Sequence, residues 1–147
     1  MSRDDRRLAL LRGVLAALAF AALSVGLLAS FAPRSFFDDF PLGAAWVSLL
    51  PPYNEHLVTD VGGFQLAFGV VFAWAARRPS RALVVPLCVG WLVSQVLHLS
   101  FHVTHLDGFG LGDAIAQTVS LALVVALPVA GIALARPMRP AQAASAS

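Results

Sequence analysis

The sequence predicts an all-α membrane protein: a bundle of four transmembrane helices with both termini in the cytoplasm and one outward-facing loop. The first observation is composition, since 59% of the 147 residues are hydrophobic, 12% are charged, and the mean hydropathy is +0.79. Soluble chains carry about a quarter charged residues, so a water-soluble fold of this composition would expose large apolar patches. Secondly, the apolar residues fall into four runs long enough to cross a hydrocarbon core of ~30 Å. Thirdly, nine of the ten arginines lie on one side of these runs.

The four predicted spans form a single domain over residues 1–136. They cover residues 8–30, 57–76, 82–105 and 111–135, and each approaches or exceeds the roughly 20 helical residues that a bilayer requires. Arg12 interrupts the first run close enough to its end to reach the headgroups. Pro86 and Pro128 fall near the arginine-flanked ends of the third and fourth runs, where a membrane helix tolerates a kink. We expect residues 137–147, which are small and polar, to form a disordered cytoplasmic tail.

The arginines determine the predicted orientation. Three precede the first span and Arg12 lies near its start, three lie between the second and third, two follow the fourth, and only Arg34 is on the opposite side. Six of the eight acidic residues share the side of Arg34. Because cytoplasmic loops are enriched in arginine and lysine, we expect a multi-pass plasma-membrane protein with cytoplasmic N- and C-termini. The chain has many alanines and no lysine, which indicates a GC-rich bacterial genome.

The one long loop faces outward and is rich in aromatic residues. They are Phe31, Phe36, Phe37, Phe40, Trp46 and Tyr53. Aromatic side chains anchor at the headgroup level, and we expect the short apolar segment 44–50 to lie at the membrane surface, as an anchored loop or as a lid. The arginines before the first span, together with the small residues at the ends of the stretch 30–32, also fit a signal peptide that is cleaved there. We expect an uncleaved helix, because the apolar run is longer than the about 7–15 residues of a signal peptide.

Polar side chains mark the outward halves of the second, third and fourth predicted helices. Their spacing of three and four residues places each set on one helical face. Ionisable groups that face lipid cost about 2.5–3.5 kcal/mol each, so we expect the three faces to meet in one outward pocket. The predicted lining residues are His56, Asp60, Gln95, His98, His102, Asp113 and Gln117, with Glu55, His105 and Asp107 at the mouth.

These residue types fit three functions. Imidazole and carboxylate groups suit zinc, copper or iron, with His56, His98, His102, His105 and Glu55 as candidate ligands. A second function is proton or redox handling, in which Trp91 and phenylalanines hold a quinone, or facing histidines hold a haem. A third is structural, with the polar cluster as interhelical glue in an accessory subunit of a membrane complex.

We favour a pocket that binds a transition metal or another polar ligand, and the sequence leaves open whether the protein catalyses a reaction. Beside the metal candidates, Asp60, Gln95, Asp113 and Gln117 are the candidate residues for binding a cofactor or other ligand. We expect contact with the lipid bilayer and with a membrane-protein partner or a second copy. Dispersed arginines argue against nucleic acid, and the lone Cys88 excludes an intrachain disulfide. Serines within helices and without a GxSxG elbow argue against a hydrolase.

The stretch DVGGFQLAFGVVFAWAARRP, followed by RALVVPLCVGWLV, resembles the DoxX-like group of small four-helix bacterial membrane proteins. The likeness covers the second to fourth predicted helices. It implies a four-helix bundle with a redox or partner-protein role, since some members are small subunits of quinone-linked oxidoreductases. The pattern PPYNEHLVTDVGGF with FHVTHLDG more specifically resembles an actinobacterial membrane protein type. The histidine triplet is not general among DoxX-like chains, so the resemblance assigns no functional residue.

Overall fold

The computed structural model describes residues 1–50 and 52–135, which form five helices and no strand. The helices are α1 (Arg3–Phe31), α2 (Pro33–Asp39), α3 (Glu55–Arg77), α4 (Arg81–Thr104) and α5 (Leu111–Leu134). All but α2 are long and apolar enough to cross a membrane, which confirms an all-helical fold with four candidate spans. The predicted tail at 137–147 lies outside the described residues.

Side-chain caps explain why three of the helices begin before their apolar runs. At α1, Ser2 Oγ accepts a hydrogen bond from the Asp5 N–H and the Asp5 carboxylate accepts one from the Ser2 N–H, at 3.0 and 2.9 Å. Asn54 Oδ1 accepts from the Leu57 N–H at the start of α3. Ser80 Oγ accepts from the Leu83 N–H at the start of α4. Each cap satisfies a backbone donor that the first turn of a helix leaves unpaired.

The α1–α3 loop, residues 32–54, contains the additional helix α2, which begins with Pro33 at a position where the missing N–H costs nothing. The Arg34 guanidinium pairs with the Asp38 carboxylate at 2.6 Å, and this raises the pKa of Arg34 above its ordinary value. The guanidinium also lies 5.1 Å from the centre of the Tyr53 ring, so it joins α2 to the start of α3. The apolar segment 44–50 is made of turns rather than of a regular element.

The contact between α1 and α3 is the closest in the bundle, and three glycines produce it. A Cβ atom added to Gly62 would lie 2.6 Å from the Ser30 backbone nitrogen. One added to Gly26 would lie 2.7 Å from the Leu66 backbone nitrogen, and one added to Gly69 would meet Leu23 at the same distance. Small residues let two membrane helices approach backbone to backbone, as these do.

The packing of α3 against α4 is sparse by comparison. The bundle is connected from α3 through α1 and α5 to α4, and α3 itself meets α4 at few positions. Their aromatic contact is the Trp91 indole against Phe68 and Phe72, with ring centroids 5.2 and 5.4 Å apart. We call the end of the bundle with the α1–α3 and α4–α5 loops the loop end, and the opposite one the arginine end. Towards the loop end of this aromatic contact, a cavity separates the helices.

Candidate functional site

A cavity of about 600 Å³ lies at the loop end, between the four long helices and the α1–α3 loop. This volume is within the ~300–1,000 Å³ of small-molecule sites. Much of its wall is aromatic and aliphatic, as in most such sites. The loop contributes Phe36, Phe37, Phe40, Pro41, Trp46, Val47, Leu50 and Pro52. Because these side chains lie over the cavity, they cover the end that faces away from the bundle.

The polar side chains of the cavity are amides, imidazoles, two indoles and a hydroxyl. They are Trp46 of the loop, Asn54 and Gln65 of the α3 region, Trp91, Gln95, His98 and His102 of α4, and Gln117 and Ser120 of α5. Gln95 and Gln117 are almost fully buried, with 5% and 3% of their surface exposed. Among the described residues, no Asp, Glu or Arg lines the cavity. A ligand there meets hydrogen-bonding groups but no fixed charge.

Four of these side chains present a buried polar atom that is unpaired. The atoms are Gln65 Oε1, Trp91 Nε1, His102 Nδ1 and Gln117 Oε1, each without a hydrogen-bond partner in residues 1–50 and 52–135. All four residues line the cavity, although they come from three helices. An unsatisfied buried group costs about 1–3 kcal/mol, so such groups are normally paired with protein, water or ligand. A molecule in the cavity is in position to pair with them.

The histidines of α4 divide into two environments. The His98 and His102 rings are edge to face with centroids 4.4 Å apart, and both line the cavity. His105 follows the end of α4 and does not line it. Its ring stacks on Phe101 at 4.1 Å, and its Nδ1 lies 2.8 Å from the Phe101 carbonyl oxygen and 3.1 Å from Thr104 Oγ1. The triplet of the sequence is therefore a pair at the cavity and one locally bonded residue.

The predicted acidic residues also lie outside the cavity lining. His56 Nε2 is 3.3 Å from Asp60 Oδ2, and their side chains are 87% and 53% exposed on the outer surface of α3. Glu55 is in the first turn of the same helix. Asp113, in the first turn of α5, accepts a hydrogen bond from Trp46 Nε1 at 3.0 Å. This carboxylate holds the α1–α3 loop on α5 rather than facing the histidines.

The structure therefore brings together four of the nine predicted site residues, namely Gln95, His98, His102 and Gln117. In the described part of the chain, no group of three or more His, Cys, Asp or Glu is arranged to hold a metal ion. Sequence reasoning missed Gln65 and the role of Trp46. An isolated amide in an apolar span was the available signal for Gln65, whereas helical periodicity contains no information about a loop tryptophan.

Comparisons with protein-family models, with curated proteins and with solved structures gave no match for this chain. The chemistry of the cavity follows from its own polar atoms. Trp91 Nε1 only donates, an amide oxygen only accepts, and an imidazole nitrogen does either according to tautomer. Burying an unpaired charge is costly, so a lining of this kind favours an uncharged molecule with both apolar surface and a polar group.

Proposed function

We propose that this integral membrane protein binds an uncharged, lipid-soluble ligand with a hydrogen-bonding group in the cavity at its loop end. The observation that supports this function is the convergence of four unpaired polar atoms, from Gln65, Trp91, His102 and Gln117, on one largely apolar cavity. Polar groups of the ligand pair with some of these atoms, and its apolar part packs against the aromatic side chains of the α1–α3 loop. A carbonyl, ether or hydroxyl oxygen accepts from Trp91 Nε1, and a hydroxyl donates to an amide oxygen.

The distribution of arginine supports an outward position for the cavity. Arg77, Arg78 and Arg81 lie at the turn between α3 and α4, and Arg3, Arg6 and Arg7 lie at the start of α1. The positive-inside rule assigns this arginine end to the cytoplasm. The cavity then lies in the outer half of a bacterial plasma membrane, with the α1–α3 loop between it and the outside.

A transition metal is the less favoured occupant. The cavity lining contains two adjacent imidazoles, His98 and His102, whereas a zinc site takes three or four protein ligands. The carboxylates that would complete the set, Asp60 and Asp113, make other contacts. An accessory role in a membrane complex, which the DoxX-like resemblance implies, is compatible with a ligand site and stays a prediction.

The experiment is to purify the protein in a mild detergent, extract it with organic solvent and identify the extracted compounds by mass spectrometry. We expect an uncharged lipid-soluble compound at up to one molecule per chain. Gln117→Leu removes one unpaired amide at nearly constant volume and lowers the retained amount about fivefold, because a hydrogen bond contributes about 1 kcal/mol. Thr118→Val is the matched control, since it changes the next residue, which does not line the cavity.

Two results would contradict the proposal. Wild-type protein that retains no such compound, or retains as much of it in the Gln117→Leu variant, would exclude the cavity as its site. Elemental analysis of the same samples tests the metal alternative. A stoichiometric transition metal that disappears in the His98→Ala/His102→Ala variant would favour a metal centre over an organic ligand.

A further inference from the structure

The cavity reaches the outer surface of the bundle between the loop-end parts of α3 and α4. Leu57 and Val61 of α3 and Phe101 of α4 line the cavity and are also 60%, 43% and 39% exposed. Side chains that border a cavity and the protein surface at once mark an opening. The contact between Phe68 and Trp91 closes this opening towards the middle of the bundle. We call it the lateral gap and define it by Leu57, Val61 and Phe101.

The lateral gap lies at the depth of the lipid chains. Val61 is six residues after the first residue of α3, which places it ~9 Å along the helix axis. The three side chains that define the gap are apolar, and of the polar side chains of α4 that line the cavity, His98 is also exposed. A hydrocarbon chain packs against the apolar side chains of the gap as it packs in the bilayer.

The other route into the cavity, from the water at the loop end, is partly covered by the α1–α3 loop, with Pro52 and Asn54 of the lining exposed at its edge. Trp46 lines the cavity and is held by the hydrogen bond to Asp113 of α5. On the opposite side of the loop, Arg34 lies over the Tyr53 ring and pairs with Asp38. The loop is thus attached to α5 by Trp46 and held together internally by Arg34, with its aromatic side chains at the cavity.

We infer that the ligand enters from the lipid phase through the lateral gap, and that it is a membrane lipid with uncharged polar groups and a long hydrocarbon tail. One polar group lies at Trp91 and another at Gln117, and the tail leaves through the gap among the bilayer chains. This inference rests on the proposed function and adds the source of the ligand and its amphipathic class. A ligand delivered from water would instead displace the loop.

The test uses tryptophan quenching in proteoliposomes. The protein has three tryptophans, and Trp74→Phe removes the one that is exposed outside the cavity. The contribution of Trp91 is the difference between this protein and the Trp74→Phe/Trp91→Phe protein. The membrane probe is 2-bromohexadecan-1-ol incorporated in the bilayer, and the aqueous probe is 2-bromoethanol, since a bromine atom in contact with the indole quenches it.

We expect the bilayer probe to quench Trp91 and the aqueous probe to leave it unquenched. Leu57→Phe/Val61→Phe narrows the lateral gap and lowers quenching by the bilayer probe about fivefold, because added rings overpack the opening. Val70→Phe is the matched control: it adds the same ring to an exposed position of α3 that does not line the cavity. If the double variant does not fold, the single Val61→Leu variant gives the same comparison with a smaller change.

The outcomes separate the two proposals. Quenching of Trp91 by 2-bromoethanol, unaffected by the gap variants, would overturn lateral entry and leave ligand binding in the cavity intact. Equal loss of quenching in Val70→Phe would also overturn the assigned route. If neither probe quenches Trp91, the cavity binds no such molecule and the proposed function itself is wrong.

Discussion

Helix α3 packs backbone to backbone on its α1 side, whereas on its α4 side it leaves a cavity and a gap. Gly62 and Gly69 allow no added Cβ atom on the first side. On the second side, Leu57 and Val61 border the cavity, and Phe68 and Phe72 supply the aromatic contacts to α4 within residues 1–50 and 52–135. One side of the helix thus fixes its position in the bundle. The other side leaves space for a binding site.

The largest predicted effect is the loss of the close contact on the α1 side. In Gly62→Ala, the new Cβ would lie 2.6 Å from the Ser30 nitrogen and 2.9 Å from the Ala29 carbonyl carbon. These are backbone atoms, so α1 must move away. We expect the free energy of unfolding to fall by about 2–3 kcal/mol, measured by denaturation in mixed detergent micelles.

Gly63→Ala is the control at the adjacent residue, since its added Cβ meets nothing within 4 Å. Alanine is favoured over glycine in a helix by up to ~1 kcal/mol, so this variant is neutral or slightly more stable. Equal destabilisation in the two variants would show that α3 does not pack on α1 through Gly62, and would remove the contrast between the two sides of the helix.

The next effect is on ligand binding and concerns the floor of the cavity. Trp91→Phe removes the unpaired Nε1 donor and keeps an aromatic ring against Phe68 and Phe72. We expect the retained lipid-soluble compound to decrease about fivefold, as the loss of about 1 kcal/mol of hydrogen bonding predicts. Trp74→Phe, at an exposed position, retains the wild-type amount. A decrease of the same size in both variants would remove Trp91 from the site.

Composition and periodicity were sufficient to predict the four spans, since a bilayer imposes length and hydropathy on each segment separately. They also placed Gln95, His98 and His102 on one face of α4, and these three residues line the cavity. The face of a helix follows from its own sequence. The helix that packs against this face does not follow from the same sequence, because it depends on how each neighbouring helix is rotated about its own axis.

The rotation of α3 shows this limit. Its sequence contains adjacent glycines, Gly62 and Gly63, and His56 and Asp60 share a face with the second of them. Gly62 is the glycine that packs on α1, so the face with His56 and Asp60 is exposed and the face with Gln65 lines the cavity. No local sequence pattern tells which of the two glycines packs on α1. The tertiary contact with Ser30 identifies Gly62 as that glycine.

A smaller effect is predicted where the α1–α3 loop is attached to α5. Asp113→Ala removes the acceptor of the Trp46 hydrogen bond. An exposed bond of this kind contributes about 1 kcal/mol or less, so stability changes little. We expect Trp46 to become more accessible to 2-bromoethanol in proteoliposomes, because the loop separates from α5. Asp107→Ala, in the exposed α4–α5 loop, leaves quenching unchanged, as does Asp113→Asn, which keeps the acceptor oxygen. If 2-bromoethanol quenches Trp46 no more in Asp113→Ala than in the wild type, this hydrogen bond does not hold the loop on α5.

The smallest effect concerns a contact within the loop, at Tyr53, which is the only tyrosine in the chain. Desolvation of its ring and the negative charge of Glu55 raise the pKa of Tyr53 above its ordinary value of 10.0, while the positive charge of Arg34 lowers it. Phenolate absorbance therefore reports this contact directly, with a midpoint above 10.0 in the folded protein. The contribution of Tyr53 to stability is fully present below the ordinary pKa and is lost as the pH rises through the higher folded value.

Two variants shift this titration in opposite directions. Glu55→Gln removes a negative charge and lowers the midpoint, whereas Arg34→Gln removes a positive charge and raises it. Both shifts of the titration midpoint are expected only while the loop lies against the start of α3. In that arrangement the Tyr53 ring is 5.2 Å from the Phe37 ring. A midpoint at the ordinary value, insensitive to both substitutions, would show that the loop is not packed there. Water would then reach the cavity from the loop end, and the lateral gap would not be the preferred entrance.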